Sequence, residues 1–459
     1  MLTVEKIGGT CMTALDNVLH NIVLYGREGS ALYNRIFVVS AFSGVTDMLL
    51  ENKKTGKPGI YHRIAGHQNF TQSLDDITEM LQGMNKKYEP IGLDLKVADA
   101  FIENRIDEAQ KFLEDLANIL ASGYVSAESI LQAAREILSS IGEAHSAFNL
   151  VNVLENNKIN ATFIDLCGFH DHKSYTIDQR IRHAFKDIPF DKTICVATGY
   201  TKGVEGIMRE FDRGYSEVTF SKIAVAVEAK EVIIHKEYHL SSADPVLVGV
   251  ENCVPVGFTN YDVADQLADI GMEAIHPKAS KPLEINGINL RIKNAFEPEH
   301  AGTLITKQYI SPHKRVEFIT GAEKTVMIDI YDPLMVGEVG TDLKVMQEFN
   351  GFGISYIFKA TSANSISILI WEKDFKPGLL KKLKTEFETV NVHNVAIVCM
   401  IGSNIDQPGV LAKAAGALSD QKINILSGGF ALRKVNIQFI VAREDFKKAI
   451  ITLNKTMFF

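Results

Sequence analysis

Lys6, Gly8, Gly9 and Thr10 stand together in the run Lys-Ile-Gly-Gly-Thr-Cys at residues 6–11. A Gly-Gly turn that feeds a helix presents free backbone N–H groups and the positive end of the helix dipole, and phosphate is the usual guest of such a turn. Lys6 adds a mobile positive charge at its edge. The spacing is not that of a P-loop, which needs Gly-x-x-x-x-Gly-Lys-Ser/Thr. The same six residues also suit an ordinary tight strand-to-helix turn.

Five further stretches carry chemistry-bearing side chains. Ser40-Ala41-Phe42-Ser43-Gly44-Val45-Thr46 puts small residues and hydroxyls after a short apolar run. The carboxyl ends of strands in open α/β sheets are where ligands bind. Gly142-Glu143 offers a carboxylate for a ligand ammonium, or simply a surface glutamate. Arg209 to Glu217 is dense in charge; Arg213 can grip a carboxylate with its fork of donors, and Ser216 can cap the helix that follows, with Glu217 in its first turn. A solvated charged loop is the plainer reading of that stretch. Ser241-Ser242-Ala243-Asp244-Pro245 is a turn, and His276-Pro277 suggests packing. No pair among the 13 histidines has a helical metal-ligand spacing beside a Glu, and no metal-binding residues are expected.

These residues need elements to hold them. Leu2–Glu5 begins a strand, and Leu15, Val18, Leu19, Ile22 and Val23 have the period of a buried helical face. Thr13 and Asp16 loosely fit a capping box at that helix's start. Arg35–Ser40 reads as a strand, and residues 70–155 as mostly helix, with Leu113, Leu116, Ile119 and Leu120 on one face. Strands are expected at 162–164, 193–196, 232–234 and 290–292. Helices are expected at 216–229 and from a cap at Asn260 to Ile270. Alternating strands and helices imply a largely parallel sheet covered on both faces.

After about residue 310 the texture changes to β-α-β-β-α, and the pattern returns roughly 70 positions later. Two such copies make a ferredoxin-like repeat, suited to small-ligand binding between subunits or to dimerisation alone. The expected division is 1–308, 315–390 and 391–459.

Composition sets the outer limits. At 459 residues the chain is long enough for two to four domains, and 46% hydrophobic with 23% charged is ordinary for a globular protein. A formal net charge of −8 gives a nucleic-acid role no support. No charged-then-apolar leader opens the sequence, and no apolar run approaches the ~18 residues of a membrane span. Five scattered cysteines without a Cys-x-x-Cys pair fit a reducing cytoplasm and argue against structural zinc or disulfides.

In this order and spacing the segments resemble the aspartate kinases across essentially the whole chain. Lys6–Cys11 is similar to the family's Lys-Phe-Gly-Gly-Thr-Ser signature, and Val38–Thr46 to its Val-x-Ser-Ala-x-x-Gly-x-Thr segment. Gly142-Glu143, Arg213–Glu217 and Ser242–Pro245 resemble the substrate Gly-Glu, the Arg-Gly-Gly-Ser-Asp loop and the Thr-Thr-Asp-Pro nucleotide loop. His276-Pro277 and Leu290–Leu304 resemble the end of the catalytic domain, and the repeat resembles tandem ACT domains.

The resemblance implies an α/β amino-acid-kinase fold, parallel-rich between helices, followed by two ferredoxin-like ACT domains. It implies ATP with Mg²⁺, and phosphorylation of the β-carboxylate of L-aspartate to 4-phospho-L-aspartate. Ser40, Thr46, Glu143, Arg213 and Ser216 would surround aspartate. Lys6, Gly8, Gly9, Thr10, Ser242 and Asp244 would contact nucleotide, with Lys6, Arg213 and Glu217 carrying the catalysis. Asp406 and Gln407, in the polar loop before Pro408, would hold an effector, in a homodimer or larger oligomer built through the ACT pair.

The sequence departs from the family pattern at several positions. Glu217 stands for Asp, Val246 for a basic residue, Glu273 for Lys, and Ala363 for the acidic residue of Thr-Ser-Glu. Two positive charges expected near the nucleotide are therefore missing, with Lys236 or Arg209 as substitutes. The variants around 210–217 and 235–245 resemble the branch associated with ectoine synthesis. Two other readings stand beside this one: an amino-acid-kinase enzyme acting on glutamate, acetylglutamate or UMP, and a non-catalytic amino-acid sensor of the same fold.

Overall fold

The structure, a computed structural model, describes every residue except Lys53, Lys54, His170, His172, Asp212, Arg213, Glu273, Lys314, Ala431 and Lys434. Two compact units interleave along the chain: residues 1–239 with 275–304, and residues 240–274 with 305–459.

In the first unit, β1 (Thr3–Ile7), β2 (Arg35–Val39), β3 (Ala161–Ile164), β4 (Ile194–Thr198) and β5 (Glu231–Lys236) are joined by the strand Asn289–Asn294. Their order is β3-β4-β2-β1-β5 followed by Asn289–Asn294, and all these pairings are parallel. β2 and β4 are buried along their whole length. A parallel sheet covered on both faces needs such continuous apolar runs, and each fully buried Val or Ile contributes roughly 1.5–3 kcal/mol. Strand registers pair Lys6 with Val38 and with Ile234, so the Gly8-Gly9 turn follows the carboxyl end of the central strand.

The segment 70–155 forms three helices, Thr71–Asn85, Leu95–Ser122 and Ala127–Asn156. Leu113 and Leu120 are buried as expected, but Ile119 is 42% exposed, since the buried stripe of this helix runs through Ile102, Ile106, Ala109 and Leu113 instead. The first helical segment also differs from expectation. It starts at Gly9, capped by Gly8, and becomes a π-helical turn at Val18–Leu24. Thr13 does not cap it: its hydroxyl donates to Gly9 O at 3.0 Å and accepts from Ser43 N at 2.9 Å, tying the first turn to the loop after β2. Leu15, Val18, Leu19, Ile22 and Val23 are all buried, so the periodic face is real although the helix is not uniformly α.

The second unit holds a six-stranded antiparallel sheet ordered Phe358–Thr361, Ser365–Trp371, Phe318–Tyr331, Thr389–Ile401, Asn436–Ala442, Ile425–Gly429. Each β-α-β-β-α copy supplies three strands, and the copies join through their long first strands, from Thr389↔Tyr331 to Ile401↔Phe318. Two apolar cores result, one around Ile328, Phe349 and Leu379, the other around Ala396, Leu418 and Leu453. The second strand of the first copy is Phe358–Thr361, reached after a turn at 352–353 that ends the helix Thr341–Gly351. Asn260 caps Tyr261–Asp269 as expected, accepting from Val263 N at 2.9 Å.

Candidate active site

The loops after β1, β2 and β4 meet the start of the helix Tyr215–Ala226 and the middle of the helix Ala127–Asn156. Glycines permit the approach. A Cβ on Gly9 would sit 2.6 Å from Ala41 O, and one on Gly142 would sit 2.7 Å from Ala41 Cβ. One on Gly199, just after β4, would sit 2.6 Å from Ser216 Cβ and 3.2 Å from Glu143 Oε1. Each side chain larger than hydrogen would push these loops apart. The Gly of Gly142-Glu143 therefore lets the long helix press against the Ser40–Val45 loop, which brings Glu143 to the strand ends.

Glu143 is buried, and burial pushes its carboxyl up to about 8. The Tyr215 hydroxyl, the Lys6 charge and the Tyr200 backbone N–H act the other way without overcoming it. Its Oε2 has no hydrogen-bond partner among the described residues. Tyr215 is itself buried and lies in hydrogen-bonding relation to both Glu143 and Thr46. Ser40 Oγ is 3.3 Å from Ser216 Oγ, and Ser146 holds the Ser40 carbonyl at 2.8 Å.

Glu217 has the opposite setting. Burial would raise its carboxyl, but Lys6, Lys236 and the His276 N–H hold it below the usual carboxylate range. Lys6 Nζ lies 3.5 Å from Oε1, and His276 N donates to Oε2 at 2.6 Å. Gly214, at φ 73°, caps the helix, so Ser216 is not its cap; it sits inside the first turn and turns its hydroxyl to Ser40. A left-handed φ suits glycine, and a Cβ there would also strike His276 at 2.8 Å.

The structure thus gathers Lys6, Gly8, Gly9, Ser40, Thr46, Glu143, Ser216 and Glu217 in connected loops of one unit. Thr10 follows Gly9 in the first turn and is exposed. Arg213, expected at the substrate, lies outside the described residues, as does Glu273. Ser242 and Asp244 belong to the second unit. There Ser242 is fully buried, with its hydroxyl 3.3 Å from Asn454 Oδ1 and accepting from Val254 N, while Asp244 caps Pro245–Val248 through Val246 N at 2.8 Å. Val246, in place of a basic residue, is 84% exposed.

Asp406 and Gln407 lie in the loop before the helix Val410–Asp420, where Gln407 Nε2 reaches Asn404 Oδ1 at 3.2 Å. A cavity of about 660 Å³ lies at the corresponding loop of the first copy, lined by Asp332, Glu338, Thr341 and Lys344 among others. Among the described residues no group of three or more His, Cys, Asp or Glu side chains is placed to hold a metal. All five cysteines are free; Cys11, beneath the glycine turn, is pushed up to about 12 by burial.

Sequence reasoning missed three contributors. Tyr215 stands inside a recognised loop, but its contact with Glu143 needed the fold. Tyr200 and His276 act through backbone N–H groups, which leave no side-chain signal. The Gly199-Tyr200 pair directly after an apolar strand was the available hint.

Residues 1–294 match the amino acid kinase family, and residues 391–455 match an ACT domain. Aspartate kinase Ask_Ect of Stutzerimonas stutzeri (strain A1501) is 43% identical over 463 residues, spanning 100% of this chain and 97% of that protein. Chloroplastic aspartokinase 1 of Arabidopsis thaliana is 27% identical over 369 residues, spanning 76% of this chain and 64% of its own length. Among solved structures, E. coli aspartokinase III in complex with aspartate and ADP has a TM-score of 0.74 at 19% identity, with 100% of both chains covered. Clostridium acetobutylicum aspartate kinase has a TM-score of 0.74 at 20% identity, covering 99% of this chain and 100% of its own. At such identities these structures speak for the fold.

Proposed function

The chain belongs to the amino acid kinase family, among the aspartate kinases, and from that premise we propose how its strand-end cluster divides substrate from nucleotide. The enzyme phosphorylates the β-carboxylate of L-aspartate with ATP, giving 4-phospho-L-aspartate and ADP. The acceptor carboxylate is already ionised at neutral pH, so no general base is required. Rate must come from alignment and from neutralising phosphate charge.

Glu143 receives the α-ammonium of aspartate. The supporting observation is its buried Oε2, which has no protein partner among the described residues and awaits a donor from outside. Ser40, Thr46 and Ser216 supply hydroxyls around the substrate, and Arg213 grips a carboxylate. Lys6 neutralises the transferring phosphoryl group above the backbone N–H groups of Gly8, Gly9 and Thr10. Glu217 holds Lys6 in place, and Lys236 supplies one of the missing positive charges, an assignment supported by its pull on Glu217.

Mg²⁺ enters with the nucleotide. The donor set fits this, since both Glu217 oxygens already face Lys6 and His276 N–H and no carboxylate cage stands among the described residues. A magnesium ion bound mainly by phosphate oxygens and water needs no such cage, and it would neutralise phosphate charge beside Lys6.

The domain limits 1–308, 315–390 and 391–459 are our division of the sequence, with a homodimer or larger oligomer formed through the ACT pair. Among the described residues no helix is long and apolar enough to cross a membrane, and we place the enzyme in the cytoplasm. The 43% identity to Ask_Ect supports the ectoine-associated branch. Asp406 and Gln407 remain our candidates for effector contact, with the Asp332–Thr341 cavity as a second locus.

A coupled ADP-release assay with and without L-aspartate tests the reading. ADP release that depends on aspartate, with an acyl phosphate trapped by hydroxylamine, is expected. Release indifferent to aspartate, or none at all, overturns it in favour of a different acceptor or a non-catalytic sensor.

A further inference from the structure

A second polar cavity, of about 260 Å³, opens in the first unit beside the π-helical turn Val18–Leu24. Its titratable lining is Glu5, Tyr25, Arg27, Arg35, His235 and Lys293. It is not the catalytic turn. Glu5 and Lys6 are neighbours on β1 and so face opposite sides of the sheet. Arg35 opens β2 opposite Thr3, while His235 and Lys293 are in register with Ile7 at the end near the glycine turn, so the cavity is set apart from that turn by the face of the sheet it occupies.

The floor of the cavity is internally satisfied. Glu5 Oε1 takes Arg35 Nε at 2.6 Å, and Oε2 takes Arg35 Nη2 at 2.9 Å and lies 2.8 Å from His235 Nε2. The remaining Arg35 donors go to Val23 O at 3.1 Å and Ile22 O at 2.8 Å. One carboxylate and one guanidinium therefore cancel. Arg27 and Lys293 are left over. The Lys293 ammonium makes one bond, to Pro298 O at 3.1 Å, and the Arg27 guanidinium has no hydrogen bond or salt bridge among the described residues, its backbone N–H alone donating to Leu24 O at 3.0 Å. Both are half-buried. Burial and the neighbouring arginines push both groups below their ordinary values, with Glu5 as the counterweight on each.

Two cations that share one partly desolvated cavity, whose single carboxylate, Glu5, is already hydrogen-bonded to Arg35 and His235, are unfavourable until an anion arrives. A guanidinium and an ammonium aimed at one space are the donors that oxyanions take. We propose that this cavity binds a small, multiply charged oxyanion, a phosphate or a dicarboxylate, through Arg27 and Lys293 above the fixed Glu5–Arg35–His235 floor. The proposal is independent of how the catalytic loops work.

The test is thermal unfolding of the full chain in inorganic phosphate or in succinate, at constant ionic strength set with sodium chloride. It is run on the wild type, Lys6→Ala, Arg27→Gln and Lys293→Gln. A saturable rise in Tm with phosphate, succinate or both is expected in the wild type and in Lys6→Ala, which lacks the catalytic-turn cation. The responding anion identifies the class of ligand. In Arg27→Gln or Lys293→Gln the apparent affinity should fall at least tenfold, while the anion-free Tm stays equal or rises, because a like-charge repulsion is removed. A response lost in Lys6→Ala but kept in both cavity variants would assign the anion to the catalytic turn and overturn the proposal. So would a response no greater than that to chloride, or an anion-free Tm lowered in both cavity variants.

Discussion

Glu143 and Glu217 stand at two sides of the same strand-end cluster, the first buried and the second half-buried, and their surroundings drive them in opposite directions. Around Glu217 the protein has supplied positive charge itself, through Lys6, Lys236 and a backbone N–H. Around Glu143 it has supplied hydroxyls and left one oxygen without a partner among the described residues. In the roles proposed above, the difference separates a finished part of the machinery from an unfinished one. A carboxylate already neutralised would hold the lysine beside it in position; one left costly to ionise would be completed by a cation the ligand brings.

Removing Lys6 should break the comparison most completely. Lys6→Ala takes the partner from Glu217 and the charge from the phosphoryl group, and kcat should fall by roughly 10²–10³ with little change in KM for aspartate. Steady-state kinetics at saturating ATP decide this, and near-normal turnover would remove Lys6 from the mechanism.

The Glu143 side is sharpened by Glu143→Gln, which should raise KM for aspartate by roughly 10- to 150-fold, the worth of one charge-assisted hydrogen bond. The wild-type pH profile should carry the same signature. With a carboxyl at about 8 in the free enzyme, KM for aspartate should fall by up to about tenfold per unit as pH rises from 6, flattening above 8. Stability runs the other way. The folded value lies above the ordinary 4.5, so the native state binds the extra proton between them, and this contribution to stability is lost as pH rises through about 8. A pH-independent KM in the wild type would show that the ammonium lies elsewhere.

A smaller effect is expected at Tyr215, where the resembled loop has glycine. Tyr215→Phe keeps the ring and removes the hydroxyl shared with Glu143 and Thr46. KM for aspartate should change by roughly 3- to 10-fold, about 1 kcal/mol, with kcat nearly constant. A fall in kcat with constant KM would move Tyr215 to the Lys6 side of the cluster.

The smallest effect concerns the ACT pair. With Ala363 in place of an acidic residue, lysine or threonine should each alter activity less than about twofold near KM for aspartate. Titration of each amino acid is the check, and strong sub-millimolar inhibition would contradict it.

The strands were the most legible feature, because β2 and β4 carry short apolar cores, residues 36–39 and 194–197, and are buried throughout, as a parallel sheet covered on both faces requires. Helix starts were read less well. Thr13 and Ser216 have cap chemistry, yet Gly8 and Gly214 take the caps; at Gly214 a left-handed φ and the close approach of His276 outweighed a side-chain hydrogen bond. Lys6, Glu143 and Glu217 could be named from motif spacing. Their opposed protonation could not, because it depends on a tyrosine hydroxyl, a lysine from β5 and a histidine backbone N–H brought in from distant parts of the chain.

The interleaving of the two units also constrains how this protein can be rearranged. The insert 240–274 is stitched to the C-terminal half by Ile319 N to Ser242 O at 2.7 Å, Thr259 Oγ1 to Glu317 Oε2 at 2.6 Å and Asn454 Nδ2 to Asn252 O at 2.8 Å. A gene split near residue 310, the natural place to separate catalyst from repeats on paper, would orphan both sides of each of these bonds. Grafting these repeats onto another enzyme would require carrying a segment that lies some forty residues upstream of the apparent junction. Recombination at one crossover point cannot deliver both pieces, so this arrangement resists modular exchange in a way that a simple head-to-tail fusion would not.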